Sequence, residues 1–215
     1  MKINHLGIIP DGNRRWAKAN NISLEAVYQI FANKIANIVE LLPKLEVKEL
    51  SVYIASKENL TRKPEEIEPV VNAFVDALPA IKDTAVKYGY KVKFIGLYNV
   101  THKNLLACAS DIESATKNNS NKVINMLVGY NPYDELERSF KAGNTAISVE
   151  NLEVNSYVDL VIRTGGKPVR LSNFLPVQCG YANIEVFDKF FIDLTEEDIF
   201  NTIKSYESVS PRYGK

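Results

Sequence analysis

Cysteine, histidine and net charge are what this sequence has least of. Cys108 and Cys179 are its two cysteines in 215 residues. Two thiols cannot build a disulfide framework, and they point to a reducing, cytoplasmic setting. Two histidines, His5 and His102, leave no zinc-ligand spacing to write. Lys and Arg number 26 and so do Asp and Glu, giving a formal net charge of zero. A neutral chain has no long-range pull on nucleic acid or on an anionic membrane. Any anion must therefore be met by a local cluster of Arg and Lys. No run reaches the ~18 apolar residues that read as a membrane span. An apolar substrate, or a peripheral membrane contact, stays open. The apolar N-terminal run is interrupted by Asn4 and His5, which is not a signal-peptide pattern. Internal repeats and low-complexity linkers are also missing, so residues 1–215 read as one domain. Hydrophobic residues at 46% and charged residues at 24% are globular values, and the length suffices for one full core.

What is present is organised around Ile8-Ile9-Pro10-Asp11-Gly12-Asn13-Arg14-Arg15-Trp16. The run Ile3 to Ile9 reads as a short buried strand. Pro10 stops it, Gly12 permits a tight turn, and Asn13 is placed to cap the helix that follows. A carboxylate, a helix N-terminus and two guanidiniums then meet at one strand end. Free N–H groups and the helix dipole favour an anion there. Asp11 opposes that anion unless a divalent cation lies between them, so the local reading is a metal-bridged phosphate or diphosphate site. An ordinary strand-to-helix turn with solvated arginines explains the same spacing.

Further along, Arg14 to about Leu42 reads as a long helix or a broken pair, with Val27, Ile30, Phe31, Ile35, Ile38 and Leu42 at helical spacing. Glu49 to Ala55 reads as a strand, and Pro64 to about Tyr88 as a helix that Pro69 and Pro79 should bend or split. Tyr90–Leu97, Val123–Val128, Val158–Ile162 and Asn183–Phe187 read as further strands. Leu105–Thr116, Tyr133–Phe140, a weak Ser148–Val154 and Thr195–Tyr206 read as helices, the last with Thr195 and Asp198 placed as a capping box. Alternation at these lengths implies an α/β fold, a mostly parallel sheet of about six strands flanked by helices. The polar segments Asp11–Arg15, Ser56–Arg62, Tyr130–Tyr133 and Arg163–Ser172 each follow a strand, so they should share one rim. Among single residues, His5 reads as strand-end packing, Trp16 as core or cavity wall, Lys57 and Glu58 as a solvated loop, Cys108 as buried in a helix, and Cys179, in the loop before the last strand, as equally inert.

At this point the sequence resembles the cis-prenyltransferases, the undecaprenyl and dehydrodolichyl diphosphate synthases. His5 with Pro10-Asp11-Gly12-Asn13-Arg14-Arg15-Trp16-Ala17 is close to one family motif. Asp159-Leu160-Val161-Ile162-Arg163-Thr164-Gly165-Gly166, with Arg170-Leu171-Ser172-Asn173-Phe174-Leu175, is close to a second. Ser56-Lys57-Glu58-Asn59 with Arg62, and Arg212-Tyr213-Gly214, are weaker matches. The resemblance implies a Mg²⁺-dependent enzyme, usually dimeric, that joins allylic and homoallylic isoprenoid diphosphates. It implies that Asp11 assists ionisation of the allylic diphosphate through Mg²⁺, and that Gly12, Asn13, Arg14 and Arg15 hold it. Arg163, Arg170 and Ser172 would hold the second diphosphate. Ser56 and Asn59 would stand by the reacting carbons where a proton is lost. Arg212 and Gly214 resemble a tail that completes a diphosphate site across a homodimer, and the helix around Ile67–Val86 would wall an apolar tunnel.

Several family positions are altered. Leu24 and Tyr28 stand where an arginine and a histidine usually bind the allylic diphosphate, and Leu60 stands for a tryptophan. Gly129-Tyr130-Asn131-Pro132-Tyr133 replaces Asn-Tyr-Gly-Gly-Arg, and one residue is added between Arg163 and Arg170, with Lys167 where an acid is common. Asn183 replaces a glutamate that helps hold Mg²⁺, and a neutral amide is a weaker ligand for that ion. Glu185, on the same strand face roughly 6–7 Å along, replaces it only if the strand shifts. Leu24, Tyr28 and the short chain resemble the branch that makes irregular, lavandulyl-type products by head-to-middle condensation of two dimethylallyl diphosphates. A regular long-chain polyprenyl synthase and a non-catalytic partner subunit are the two alternatives.

Overall fold

The computed structural model describes residues 2–167 and 170–208. Arg212 and Gly214, expected at a diphosphate site, lie outside the described residues. The core is a six-stranded sheet of β1 (His5–Ile9), β2 (Glu49–Ser56), β3 (Lys91–Ile95), β4 (Val123–Tyr130), β5 (Leu160–Arg163) and β6 (Asn183–Val186). Its order is β3-β4-β2-β1-β5-β6, and every pairing is parallel. The helices are α1 (Asn13–Ala19), α2 (Leu24–Leu41), α3 (Pro64–Tyr88), α4 (Lys103–Thr116), α5 (Pro132–Lys141) and α6 (Glu196–Ser208). The expected α/β class and parallel sheet are borne out.

Strand alternation sorts the apolar side chains onto two faces. Leu6, Ile8, Leu50, Val52, Ile124 and Met126 join α2, α3 and α4 in the larger core. Ile9, Tyr53, Leu127, Tyr130 and Val161 join Phe174, Leu175 and Cys179 in a smaller one beneath long loops. The expectation for Cys179 holds: burial pushes its thiol up to about 12, which keeps it unreactive. Cys108 is only half-buried on α4.

Element by element, several readings shift. The long N-terminal helix is a broken pair, because Ser23 accepts a hydrogen bond from the Ala26 N–H and starts α2 afresh. Asn13 does not cap α1. The cap is Gly12 at φ 104°, and Asn13 is the first helical residue, its amide donating back to the Pro10 carbonyl at 3.0 Å. Pro69 and Pro79 do not split α3, which runs unbroken over 25 residues. Ser148–Val154 holds only a single tight turn at Val149–Asn151. Thr195 and Asp198 do form a reciprocal box, with N–H to side-chain bonds of 2.7 and 3.1 Å.

This topology decides where a ligand can sit. After β1 the chain lays β2 on one side of it, and much later lays β5 on the other. A crevice opens beyond the C-terminal ends of strands at such a reversal. Asp11 to Arg15 leave β1 at that point.

Candidate active site

Asp11 follows β1 and Arg163 ends β5, its hydrogen-bonded neighbour. Adjacent parallel strands ending together bring the two side chains into contact, Arg163 Nη2 donating to Asp11 Oδ2 at 3.0 Å. Arg163 is only 6% exposed, whereas the Asp11 side chain is 42% exposed. The guanidinium is thus set into the wall of the opening, which it lines, and the carboxylate is the more exposed of the two. On the other side, Arg15 Nη2 lies 3.4 Å from Asp11 Oδ1, one helical turn on. Arg15 is itself fixed by the Gly165 carbonyl at 3.0 Å and lies over the Phe190 ring at 5.4 Å. Gly12 and Gly165 are required here. Both have positive φ, and a Cβ would stand 2.5 Å from Phe190 and 2.6 Å from Arg15.

A cleft of about 750 Å³ opens at this rim. Its mouth carries Arg14, Arg15, Lys18, Arg62 and Arg163 against Asp11 and Glu66, five cations to two acids. Glu66 pairs with Arg14 at 3.1 Å. A chain with no net charge therefore concentrates positive charge at one opening, which is what a polyanionic group requires. Two buried polar atoms at the cleft, Arg163 Nε and Asn13 Oδ1, have no hydrogen-bond partner among the described residues. An unpaired buried donor costs free energy unless a ligand meets it. The rest of the lining is largely apolar, with Leu24, Ile54, Leu60, Ile67, Val70 and Val100 half-buried and Phe31, Val71, Phe74, Leu105 and Val128 buried, whereas Arg14, Arg15, Lys18 and Arg62 are exposed. The charged part suits a diphosphate and the apolar part a hydrocarbon.

Of the expected site residues, the cleft brings together Asp11, Gly12, Asn13, Arg14, Arg15, Tyr28, Ser56, Asn59, Arg62, Arg163 and Ser172. Ser56 and Asn59 lock each other at the end of β2. The Ser56 N–H donates to the Asn59 amide oxygen at 3.2 Å, and the Asn59 N–H to the Ser56 hydroxyl at 3.1 Å. Tyr28 is buried on α2, and burial pushes its phenol upward against the opposing charges of Arg62 and Arg14. Ser172 accepts from Arg163 Nη1 at 3.1 Å.

The open reading of Trp16 resolves to the core, and the expectations for Arg170, for Asn183 and for the Lys57–Glu58 loop are corrected. Trp16 does not line the cleft; it lies on the far face of α1, packed on the core, its indole N–H donating to Asp193 at 2.8 Å. Arg170 does not face Asp11 across the cleft. Its side chain is exposed, and its contribution is the carbonyl that accepts from Arg163. Asn183 opens β6 opposite Leu160, three residues below the strand end that carries Arg163, so within this chain it sits at the wrong end of the sheet to share a metal with Asp11. Glu185 pairs with Ile162, is also exposed, and is absent from the cleft. Lys57 is not a free loop residue: it binds Asp134 at 2.7 Å, and Glu58 accepts from Asn131 at 3.0 Å, stapling this loop to the start of α5.

The residue reading overlooked Lys18, Tyr53 and Glu66, all of which line the cleft. Lys18 was recoverable, since it lies four residues after Arg14 on the same face of a helix. The other two carry no local signal.

Among the described residues, no group of three or more His, Cys, Asp or Glu side chains could hold a metal. A self-sufficient metal centre is therefore not what this cleft offers. One carboxylate beside a diphosphate pocket does fit Mg²⁺, which is commonly held by one or two carboxylates plus substrate phosphates and water. His5 acts elsewhere, as expected: it is buried at the start of β1 between the hydroxyls of Ser51 and Ser156, at 2.8 and 2.9 Å.

Comparison with known proteins agrees with this geometry. The family model described as "Putative undecaprenyl diphosphate synthase" matches residues 9–214. An isoprenyl transferase of Rickettsia bellii is 30% identical, covering 99% of this chain and 98% of the relative. A geranylgeranyl-diphosphate-specific tritrans,polycis-undecaprenyl-diphosphate synthase of Pyrococcus abyssi is 30% identical, covering 98% and 86%. In fold, the chain matches lavandulyl diphosphate synthase from Lavandula x intermedia, solved with dimethylallyl diphosphate, at a TM-score of 0.88 and 24% identity over 100% of this chain and 99% of that one. It matches a probable undecaprenyl diphosphate synthase from Campylobacter jejuni at 0.81 and 24%, over the whole of both chains. The chain belongs to the cis-prenyltransferase family, the transferases that join isoprenoid diphosphates.

Proposed function

We propose that this enzyme makes a short or irregular prenyl diphosphate from dimethylallyl and isopentenyl diphosphates, lavandulyl-type head-to-middle condensation included. The observation that carries the reading is the juxtaposition of the Asp11–Arg163 mouth with an apolar cleft of about 750 Å³. That volume falls within the range of ~300–1,000 Å³ used for drug-sized ligands, which suits a short hydrocarbon.

In this reading the allylic diphosphate is gripped by the Gly12 turn, Asn13, Arg14 and Arg15, with Asp11 beside it. Asp11 is the residue to hold Mg²⁺, which when bound offsets charge on the departing diphosphate. The allylic C–O bond breaks with its electron pair leaving on diphosphate. The π pair of the second substrate forms the new C–C bond, and a proton is lost from the resulting cation near Ser56 and Asn59. Arg163 and Ser172 grip the second diphosphate, because a guanidinium fork matches phosphate oxygens. The enzyme acts as a homodimer in the cytoplasm, and Tyr28 and Leu24 shape the allylic side where the family usually has charge.

Regular long-chain synthesis is a second reading, favoured by relatives named undecaprenyl diphosphate synthases. A non-catalytic partner subunit is disfavoured by retention of the Asp11–Arg163 pair, which a scaffold does not need. Incubating the purified protein and Mg²⁺ with labelled dimethylallyl and isopentenyl diphosphates, then identifying products by mass spectrometry, separates the three. We expect a product of up to about four isoprene units, the span a drug-sized cleft holds. A longer polyprenyl diphosphate would reject the short-product reading. No turnover alone, with activation of an added homologue, would select the partner subunit.

A further inference from the structure

Arg163 is held from behind by a segment whose backbone is unusual. Ser172, Asn173 and Leu175 have φ of 52°, 65° and 41°, a left-handed conformation disfavoured for side-chain-bearing residues. Three such residues among four persist only where surrounding contacts over-determine them. The conformation turns the Arg170 carbonyl and the Ser172 hydroxyl onto the same Arg163 nitrogen, leaving Nη2 for Asp11 and Nε without a partner among the described residues. Several sheet residues, Ile9, Tyr130 and Val161 among them, pack on Phe174 and Leu175, and Tyr53 adds a hydrogen bond to the backbone of the segment. The Tyr53 hydroxyl donates to the Ser172 carbonyl at 3.2 Å, and its ring packs on Phe174 at 5.6 Å and on Tyr130 at 6.2 Å. Tyr53 is 8% exposed and lines the cleft, on β2 at the point where the pairing with β4 slips register.

We propose that Tyr53 is a positioning residue: its hydroxyl pins the carbonyl of Ser172, which holds the strained 170–175 segment around Arg163 and so pre-orients that guanidinium for a diphosphate. The inference deepens the reading of the cleft as a diphosphate site and rests on it. Burial keeps the Tyr53 phenol well above its ordinary range, with the Glu58 charge acting the same way and a hydrogen bond with Ser56 opposing it, so it remains a donor at every working pH. The expected effect is on ground-state binding, since the hydroxyl acts through the Ser172 backbone and Arg163.

The test is Tyr53→Phe, which keeps the ring between Tyr130 and Phe174 and deletes the donor. Binding of inorganic pyrophosphate by the full chain is measured by titration calorimetry in the wild type, in Tyr53→Phe, in Arg163→Lys and in the double variant. Losing one neutral hydrogen bond predicts a Kd raised about 3- to 10-fold in the wild-type background. The same change should alter Kd less than about 2-fold in Arg163→Lys, because coupled residues do not add. The turnover assay should show a raised KM with kcat within about 2-fold, as removal of uniform binding requires. Hydrogen exchange should quicken at the 170–175 amides and not elsewhere, which separates local release from general unfolding. An unchanged Kd, an equal loss in both backgrounds, or exchange quickened across the sheet would overturn the proposal. A wild type that turns over no isoprenoid diphosphate while the pyrophosphate pattern holds would defeat the proposed function and still support this role for Tyr53.

Discussion

Asp11 is held between two guanidiniums that do different work. Arg163 is buried and pre-paired, while Arg15 is half-exposed and kept in place by Gly165 and Phe190. Asp11→Asn keeps the shape but removes the charge and turns one of the two acceptor oxygens into an N–H donor. It should lower kcat/KM by about 10²–10³-fold with little change in thermal midpoint, since charge stabilisation at a leaving group is worth that much. Near-normal turnover would remove Asp11 from the chemistry. At the opposite end of β1, burial pushes His5 below its ordinary value of 6.5, although the charges of Glu49 and Asp159 oppose it. Because the unfolded chain takes up the proton first, stability should be whole above about pH 6.5 and fall as pH drops toward the lower folded value. Urea midpoints of His5→Gln against the wild type, followed from about pH 7.5 to about pH 5, should show a shallower decline in the variant. Parallel curves would mean that His5 does not set this dependence. Asp11, the arginines and Gly12 were legible because a turn and a helix start concentrate them within a few residues. Arg170 was misjudged, and Trp16 was left between core and cavity wall, because exposure and helix face follow from tertiary packing, which a linear motif does not carry.

The elements follow local chemistry where that chemistry is strong. Ser23 and the Thr195–Asp198 box open helices α2 and α6 because their oxygens meet free N–H groups. At α1 the same logic failed, since Asn13 is already helical and a left-handed Gly12 makes the turn. Helix α3 is the stronger lesson. Pro69 and Pro79 each remove a backbone donor, yet the helix continues because Val71, Phe74, Leu78 and Ile81 bury its apolar stripe. Packing overrides propensity here, and the cost remains stored in the helix. Pro79 is exposed, so Pro79→Ala should restore a backbone bond and raise stability by about 1–3 kcal/mol, read as an increased denaturant midpoint. A lowered midpoint would mean that the proline fits a bend the fold needs.

At the scale of the whole molecule, the parallel sheet was legible from alternating strands and helices, and three of the four segments expected at one rim meet in the cleft, while Tyr130–Tyr133 does not line it. The strand order was not legible, because nothing local says that β5 returns to the far side of β1. That return is what makes the site: it sets Arg163 beside Asp11 across 152 residues of sequence. It also explains why Asn183 misleads. The start of β6 is close to β5 in sequence order and sheet position, yet it lies at the other end of the strands. The apolar wall was foreseen in α3, while Val100, Leu105 and Val128 enter it from segments without any motif.

The central claim is that one opening holds diphosphate at Asp11 and Arg163 and directs a hydrocarbon into the cleft behind it. The most direct measurement is a crystal structure of the protein with a non-hydrolysable thio-analogue of dimethylallyl diphosphate. The account predicts phosphate oxygens hydrogen-bonded by the arginines of this mouth, and the prenyl tail against Phe31, Val71 and Phe74. A diphosphate seated at another face of the molecule, or a tail left in solvent, would contradict it.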